Sequence, residues 1–349
     1  MLERFDRVKQ VITRSIEQGV FPSAVAEIGD VHGPIWRYAE GSRQVKPEVL
    51  PVSEDTIFDM ASVSKILSAT MVSLTMMEEG LLSPTDELGL FWEGLPEKSA
   101  RMTVSQLLSH SSGLPGGKSI VGFPRDTIAE AILKSEDVLY GKGSYEAETQ
   151  VSYACLGFIV LGELLEKLGG KPLDVLAKER VFDPLEMKNT GYAPVGDNIA
   201  ATSFVEPVKG VVNDYNARYL ARPVGNAGVF STAEDCGKFA RMLLRNGDPI
   251  VSAPTIAAAN QNLTPYSDMQ RGLGFYRFRQ KGQTACDLCS PTAFGHSGWT
   301  GTSVMADPEL GFYVVLLTNR TCKESFDTDS IWRVRRYVNN AAVAAWTKG

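Results

Sequence analysis

The stretch Phe58-Asp59-Met60-Ala61-Ser62-Val63-Ser64-Lys65 joins a polar approach, residues 51–56, to an apolar run, residues 66–77. Apolar residues in and beside this run recur at steps of three and four, a spacing that lines one face of a helix. Ser62 is therefore expected in the first turn, with Lys65 one turn further on the same side. A helix N-terminus favours developing negative charge. This arrangement is the one that a serine nucleophile with a lysine base requires.

The Ser-x-x-Lys spacing is a weak signal by itself, because about one match is expected by chance in a chain of this length. The alternative interpretation makes Ser62 an N-terminal helix cap and Lys65 a solvated flank. The rest of the chain has to decide between the two.

Length and charge restrict the classes of protein to which this chain can belong. With 349 residues, the chain forms one large domain or two closely joined ones. The formal net charge is −6, and no Lys/Arg cluster is longer than three, which argues against nucleic acid and anionic membranes as partners. No apolar run reaches transmembrane length, and the charged start, residues 1–7, lacks the apolar core of a signal peptide. These features predict a cytoplasmic protein.

The five cysteines are an odd number, which suits free thiols better than a disulfide framework. Cys286 and Cys289 form a lone Cys-x-x-Cys pair, and no second pair completes a zinc site. A loop with two thiols is favoured over a metal or redox site. The sequence predicts no metal and no cofactor.

Hydrophobic periodicity predicts how helices and strands are distributed. We expect helices at residues 2–19, 66–77, 126–134, 156–168 and 329–346, another from Ser231 or Thr232, and a short capped one after Thr103. We expect strands at 24–28, 35–39, 274–279, 301–306 and 312–317, the first two forming a hairpin. This order predicts a mixed α/β (α+β) fold whose antiparallel sheet comes from both chain ends and packs against terminal helices. The domain with this sheet would consist of residues 1–80 and 229–349. An inserted helical domain would consist of residues 81–228, and the active site would lie between the two domains.

Two further stretches offer partners for Ser62. Tyr153, in Ser152-Tyr153-Ala154-Cys155, precedes an apolar helix, and a tyrosine near a lysine ammonium ionises more easily. The alternative is a tyrosine at the edge of the core. The glycine-rich stretch Phe294-Gly295-His296-Ser297-Gly298-Trp299-Thr300-Gly301 would let a substrate approach a strand edge. A backbone N–H on that edge could pair with that of Ser62 around an oxyanion, unless the stretch is only a strand entry with a surface histidine.

These three stretches, in this order, resemble the serine β-lactamase and penicillin-binding-protein superfamily. They are most similar to its class C β-lactamase-like branch, which includes serine esterases and D-amino-acid peptidases. Residues 107–115, 182–190 and 226–235 also match that branch, so the resemblance spans nearly the whole chain. The chain has no Gly-x-Ser-x-Gly elbow, which argues against an α/β-hydrolase.

The resemblance implies a role for each matched residue. Ser62 would be the acylated nucleophile, and Lys65 would help to deprotonate it, directly or through Tyr153. Tyr153 would pass the proton to the leaving group. The backbone N–H groups of Ser62 and Trp299 would form the oxyanion hole. Whether Lys65 or Tyr153 is the base stays open, because the two would titrate as a coupled unit.

The implied substrate-binding positions, Cys155, His296, Ser297 and Gly298, depart from the branch's pattern. Its second motif is often Tyr-x-Asn, but Cys155 holds the Asn position, and a thiol lacks the donor and acceptor of a carboxamide. Its third motif is often Lys-Thr-Gly, but here it is His-Ser-Gly. His296 would be charged only part of the time near neutral pH, so a fixed cation for a substrate carboxylate is lost or becomes pH-dependent.

These observations predict a serine hydrolase that forms an acyl-enzyme on Ser62 and acts on a small-molecule ester or amide, with weak β-lactam hydrolysis as a side activity. The alternatives are a β-lactamase or D-amino-acid peptidase (carboxypeptidase), and a penicillin-binding sensor without turnover. The sequence leaves the natural substrate and the oligomeric state open.

Overall fold

The computed structural model describes residues 2–204, 208–280 and 285–348. Its centre is a seven-stranded antiparallel sheet with the order β3-β2-β1-β9-β8-β7-β6. The strands are β1 (Ser23–Asp30), β2 (Pro34–Gln44), β3 (Leu50–Pro51), β6 (Tyr276–Arg277), β7 (Phe294–Ser297), β8 (Ser303–Asp307) and β9 (Phe312–Thr318). Because β1 from the N-terminal part pairs with β9 from the C-terminal part, the predicted sheet from both chain ends is confirmed.

Strand β9 has a continuous apolar run, Val314 to Leu317, because both faces of the sheet are covered. Val314 and Leu316 pack with residues of the terminal helices, α1 (Asp6–Glu17) and α12 (Thr328–Trp346). Val315 and Leu317 point the other way, into the larger core cluster, which includes residues of α10 (Ala233–Leu244). Successive side chains of a strand face opposite sides, so a strand buried on both faces has no polar alternation.

The middle of the chain is mostly helical, as predicted. Its helices are α3 (Glu97–Ala100), α4 (Val104–Leu108), α5 (Ile128–Lys134), α6 (Glu136–Leu139), α7 (Cys155–Gly169), α8 (Leu173–Ala177) and α9 (Tyr215–Leu220). The predicted cap of α4 is present, because the Thr103 side chain accepts a hydrogen bond from the N–H of Gln106. Residues 205–207 of this predicted region lie outside the described residues. The boundaries of the two predicted domains stay a prediction.

Two predicted strands begin later in the structure than predicted, because each predicted start is a glycine with a positive φ angle. The strand expected at 274–279 is reduced to β6, since Gly274 has a φ of 77°. The strand expected at 301–306 begins only at Ser303, since Gly301 has a φ of 100°. Positive φ angles are incompatible with an extended strand.

A second, two-stranded sheet fixes the chain on either side of the Ser62 region. It pairs β4 (Phe58–Asp59) with β5 (Phe230–Ser231), just before α10. The predicted helix at 66–77 follows as a π-helical turn, Ile66–Thr70, and α2 (Met71–Glu78). The remaining helix is α11 (Ala253–Ala259), with short turns at Leu2–Phe5, Leu88–Leu90 and Lys178–Phe182. Within the described ranges, no helix is both long and apolar enough to cross a membrane.

Candidate active site

Ser62 lies in a single 3₁₀ turn, Ala61–Val63, that leads into the π-helical turn. The backbone at Ser64 and Lys65 keeps right-handed helical angles. Lys65 therefore stays on the same side as Ser62, as the three-residue spacing predicts, although the helix between them is irregular. Irregular helical turns of this kind occur often at functional sites.

The buried carboxyl of Asp59 holds the turn of Ser62 in place. It accepts hydrogen bonds from the backbone N–H groups of Ala61 (2.8 Å) and Asn213 (2.7 Å). Ala61 has a φ of 46°, a left-handed conformation that costs a residue other than glycine roughly 1–2 kcal/mol. Burial raises the pKa of Asp59 to about 6. The hydrogen bond from Ala61 therefore stabilises a strained backbone directly before the candidate nucleophile.

The amine of Lys65 is fully buried and lies beside Ser62. It donates hydrogen bonds to Ser62 Oγ (3.2 Å), to the backbone carbonyl of Asn226 (2.7 Å) and to Cys155 Sγ (3.7 Å). An ammonium has three protons, and each of them has an acceptor here. Lys65 is thus not a solvated flank, and its geometry suits an interaction with the Ser62 hydroxyl.

The charge state of Lys65 follows from two opposing effects. Burial disfavours the ammonium, but the neighbouring Cys155 and Tyr153 act in the opposite direction, and the pKa of Lys65 is raised above its ordinary value. Burial likewise raises the pKa of Tyr153, although the neighbouring Lys65 acts in the opposite direction. The resting site therefore holds a lysine ammonium and a neutral phenol.

Tyr153 lies where the sequence predicts, in the loop before α7, and its ring is half-buried. The ring centroid is 5.0 Å from Lys65 Nζ and 4.4 Å from the ring centroid of His110. Its hydroxyl is buried, and no described residue forms a hydrogen bond with it. A buried hydroxyl without a partner normally carries a penalty, so this group is available to a substrate or to a moving proton.

Cys155, the first residue of α7, lines the same cavity as Ser62 and Tyr153. Burial raises the pKa of its thiol, so the group is neutral near pH 7. All five cysteines are free, as predicted. Behind Cys155, the amide of Asn226 donates to the carboxylate of Asp214 (3.1 Å), and Asp214 also lines the cavity. The sequence suggested no role for Asp214, although its place before α9 marks it as a helix cap.

His296, in β7, excludes one alternative and corrects one expectation. It is buried rather than at the surface, and its Nδ1 lies 2.8 Å from the carbonyl oxygen of Ser297. Burial and the nearby Lys65 and Arg271 cations hold its pKa well below the usual range. The expected part-time charge of His296 is therefore wrong: the imidazole is neutral near neutral pH because burial and two cations disfavour its protonation.

The strand end after His296 packs tightly against the turn of Ser62. A Cβ at Gly298 would lie 2.4 Å from Thr302 Oγ1 and 2.5 Å from the carbonyl oxygen of Met60. The Thr302 hydroxyl also donates to that carbonyl (3.0 Å). Only glycine fits at this position. Trp299 follows at the cavity mouth with half of its surface exposed. The oxyanion-hole role of the Ser62 and Trp299 N–H groups stays a prediction.

The cavity beside Ser62 has a volume of about 370 Å³ and contains three arginines that the sequence did not suggest. They are Arg271, Arg320 and Arg335, and each is buried. Arg335 was detectable in principle, since it shares the α12 face of Ile331 and Val338, where an apolar residue is expected. The other two lie outside periodic segments and have no comparable signal.

In residues 2–204, 208–280 and 285–348, no three His, Cys, Asp or Glu residues form a cluster that could hold a metal ion. The described site consists of a serine, a lysine, a tyrosine and a thiol facing a cationic cavity.

A family model described as Beta-lactamase matches residues 8–338. The chain belongs to the Beta-lactamase family. This match confirms the resemblance carried by the Ser62, Tyr153 and His296 stretches. The N-acetylmuramyl-L-alanine amidase of Bacillus subtilis is 26% identical over 91% of this chain and 81% of its own length. A putative D-alanyl-D-alanine carboxypeptidase of Escherichia coli is 26% identical, with coverages of 91% and 83%.

Solved structures confirm the fold. The hydrolase EstCE1, which has promiscuous acyltransferase activity, has a TM-score of 0.77 at 21% identity and covers 96% of this chain and 98% of its own. The D-amino acid amidase of Ochrobactrum anthropi has a TM-score of 0.74 at 19% identity, with coverages of 99% and 98%. The chain thus has the β-lactamase/transpeptidase fold of a family of hydrolases.

Proposed function

We propose that this member of the Beta-lactamase family is a serine hydrolase that forms an acyl-enzyme on Ser62 and acts on esters or small amides. One observation carries the proposal: Lys65 Nζ lies 3.2 Å from Ser62 Oγ, and Ser62 and Tyr153 line the same cavity. A nucleophile, a proton acceptor and a second proton carrier are the parts that acyl transfer requires.

The Lys65–Tyr153 pair has to lose one proton before Ser62 can react. The resting ammonium and phenol have no free base, because both pKa values are raised. Loss of one proton leaves either a lysine amine or a tyrosine phenolate, and both forms have the same total charge. Either form can accept the Ser62 proton, so the pair acts as one base.

The reaction then has two steps, acylation of Ser62 and hydrolysis of the acyl-enzyme. Ser62 Oγ bonds to the acyl carbon as its proton moves to the Lys65–Tyr153 pair. The bond to the leaving alcohol or amine breaks, and the pair returns the proton to that group. Water then attacks the ester on Ser62, which releases the acid and restores the serine. The N–H groups of Ser62 and Trp299 would stabilise the oxyanion in both steps.

Labelling with a fluorophosphonate, followed by peptide mapping, tests the proposal. We expect the adduct on Ser62 and no label in Ser62→Ala. Ser119→Ala, which changes an exposed serine outside the cavity lining, is the matched control and should label like the parent. Equal labelling of Ser62→Ala and the parent would falsify the mechanism.

A second candidate is supported by the relatives named as carboxypeptidase and amidase. It is hydrolysis of a β-lactam or a D-amino-acid peptide. We rank it lower because Cys155 holds the position of the carboxamide in the family motif, and a thiol lacks the donor and acceptor of that group. Faster turnover of a chromogenic cephalosporin than of a p-nitrophenyl ester would reverse the ranking. A stable acyl adduct without turnover would instead indicate the sensor.

A further inference from the structure

Arg271 lies in the segment before β6, and its side chain lines the cavity that contains Ser62. The residue is only 5% exposed. Among the described residues, none accepts a hydrogen bond from its guanidinium, and the buried Nε has no partner. Arginine carries five N–H donors. Arg271 therefore presents unused donors to the cavity from a nearly buried position.

The Arg271 charge also has no carboxylate partner in the described parts of the chain. Its guanidinium carbon lies 5.0 Å from the ring centroid of Tyr276 and 5.8 Å from that of Tyr153. Burial lowers the pKa of Arg271. A buried charge without a partner is costly. Two less buried arginines do have carboxylate partners: Arg37 pairs with Glu27 at 2.7 Å, and Arg222 pairs with Glu166 at 2.7 Å.

The other two arginines of the cavity donate hydrogen bonds to backbone carbonyls. Arg335 donates to the carbonyls of Gly298, Gly301 and Thr302, and so holds the loop between β7 and β8. Arg320 donates to the carbonyl of Trp299 at 2.5 Å. Their charges still make the cavity cationic, but each of them donates hydrogen bonds within the fold.

Asp214 is the carboxylate that lines the cavity, but it belongs to another part of the fold. It accepts from the N–H of Ala217 and the amide of Asn226, and thereby caps α9. It forms no hydrogen bond with Arg271. The cavity thus lacks a described counter-ion for Arg271.

We propose that Arg271 binds a carboxylate of the substrate, so that the preferred substrate is a carboxylate-bearing ester or small amide. A planar guanidinium matches a carboxylate with two parallel hydrogen bonds. The neutral His296 cannot supply a positive charge for this carboxylate. Arg271, in the segment before β6, supplies it instead. The inference rests on the proposed hydrolysis at Ser62 and names its substrate class.

Matched ester pairs test the inference. One pair is p-nitrophenyl adipate monoester and its methyl ester, with the carboxylate in the acyl part. The other is meta-carboxyphenyl acetate and its methyl ester, with the carboxylate in the leaving group. We expect the parent to have a higher kcat/KM for the anionic member of at least one pair. Arg271→Gln should reduce that preference about 10- to 100-fold, the effect of losing a charge-assisted hydrogen bond.

Two further variants separate charge from structure. Arg271→Lys should keep part of the preference, because it keeps the charge but not the planar fork. Arg279→Gln, which changes an exposed arginine outside the cavity lining, should leave the preference unchanged. A parent that prefers the neutral member of both pairs overturns the inference. The inference is also overturned if Arg271→Gln folds and its kcat/KM falls equally for both members of each pair.

The two proposals fail in different ways. Absence of ester turnover and of a fluorophosphonate adduct on Ser62 in the parent would refute the proposed hydrolysis. Adipate binding, followed by the fluorescence of the cavity residues Trp299 and Trp332, tests Arg271 without turnover. We expect adipate to bind more tightly than neutral adipamide. If Arg271→Gln does not fold, the binding of adipate and adipamide to the parent protein tests the inference. Equal binding of the two compounds overturns it.

Discussion

The strongest single test of the site geometry is Gly298→Ala, because one methyl group would separate the two backbones that face the substrate. The added Cβ would lie 2.4 Å from Thr302 Oγ1, 2.5 Å from the Met60 carbonyl oxygen and 3.2 Å from Ala61 Cβ. Nonbonded carbon and oxygen atoms need more than 3 Å of separation, so the two segments must move apart by about 1 Å. A threonine side chain can turn away, but the backbone carbonyl of Met60 cannot.

This displacement acts on the predicted oxyanion hole. Met60 and Ala61 directly precede Ser62, and Gly298 directly precedes Trp299. A misplacement of about 1 Å costs on the order of a hundredfold in rate, and losing one oxyanion donor costs about as much. We therefore expect kcat for p-nitrophenyl acetate to fall about a hundredfold. Overpacking of this kind should also lower the free energy of unfolding by about 1–3 kcal/mol.

The assay compares Gly298→Ala with Gly33→Ala. A Cβ at Gly33 meets no atom within 4 Å, and its φ is not in the left-handed region. The control should keep the parent's kcat and its urea midpoint. If Gly298→Ala stays within threefold of the parent in kcat, the tight contact between the two segments has no catalytic role and the argument from geometry is refuted.

Four further predictions concern the charged and reactive groups. Lys65→Met should lower kcat for ester hydrolysis by about a hundredfold or more, the range of general acid–base catalysis; steady-state kinetics would contradict this if kcat changes less than threefold. Because the pKa values of Lys65 and Tyr153 are both raised, kcat/KM should still increase with pH above neutrality, and a plateau reached below neutral pH argues against the pair as base. Burial raises the pKa of Asp59 from 3.8 to about 6, so the folded state binds this proton more tightly and loses about 3 kcal/mol of stability as the pH rises through that window. Urea unfolding of Asp59→Asn should lack this part of the pH dependence, and identical pH profiles of variant and parent would disprove it. Alkylation of Cys155 by a bulky maleimide should abolish activity, since its Sγ lies 3.7 Å from Lys65 Nζ; full activity after complete modification is the contrary result.

The sequence predicts features that depend on neighbouring residues or on regular periodicity. The spacing of Ser62 and Lys65 is local, because helical backbone angles bring residues three positions apart to the same side. The cap of α4 by Thr103 is local in the same way. The strands that became β1 and β9 were predictable because their apolar runs need cover on both faces.

Irregular backbone was harder to predict. Positive φ angles at Gly274 and Gly301 shortened two strands, and the turn of Ser62 begins at the left-handed Ala61. The Asp59 carboxylate that accepts from the N–H of Ala61 also accepts from the N–H of Asn213, far along the chain, so a distant segment helps to hold this turn. Sequence periodicity contains no record of these contacts.

The electrostatics of the site depended on tertiary structure alone. The sequence identifies His296 as a titratable side chain, but its neutral state results from burial and from the nearby Lys65 and Arg271. Arg271 comes from the segment before β6, and Arg335 comes from α12, far along the chain from Ser62. The type of a side chain sets which charges it can carry, whereas the segments that the fold packs around it set its burial and its charged neighbours, and these decide which charge it has. The sequence by itself therefore predicted the candidate nucleophile and its lysine, and the tertiary structure decided which buried cation in the cavity lacks a described partner.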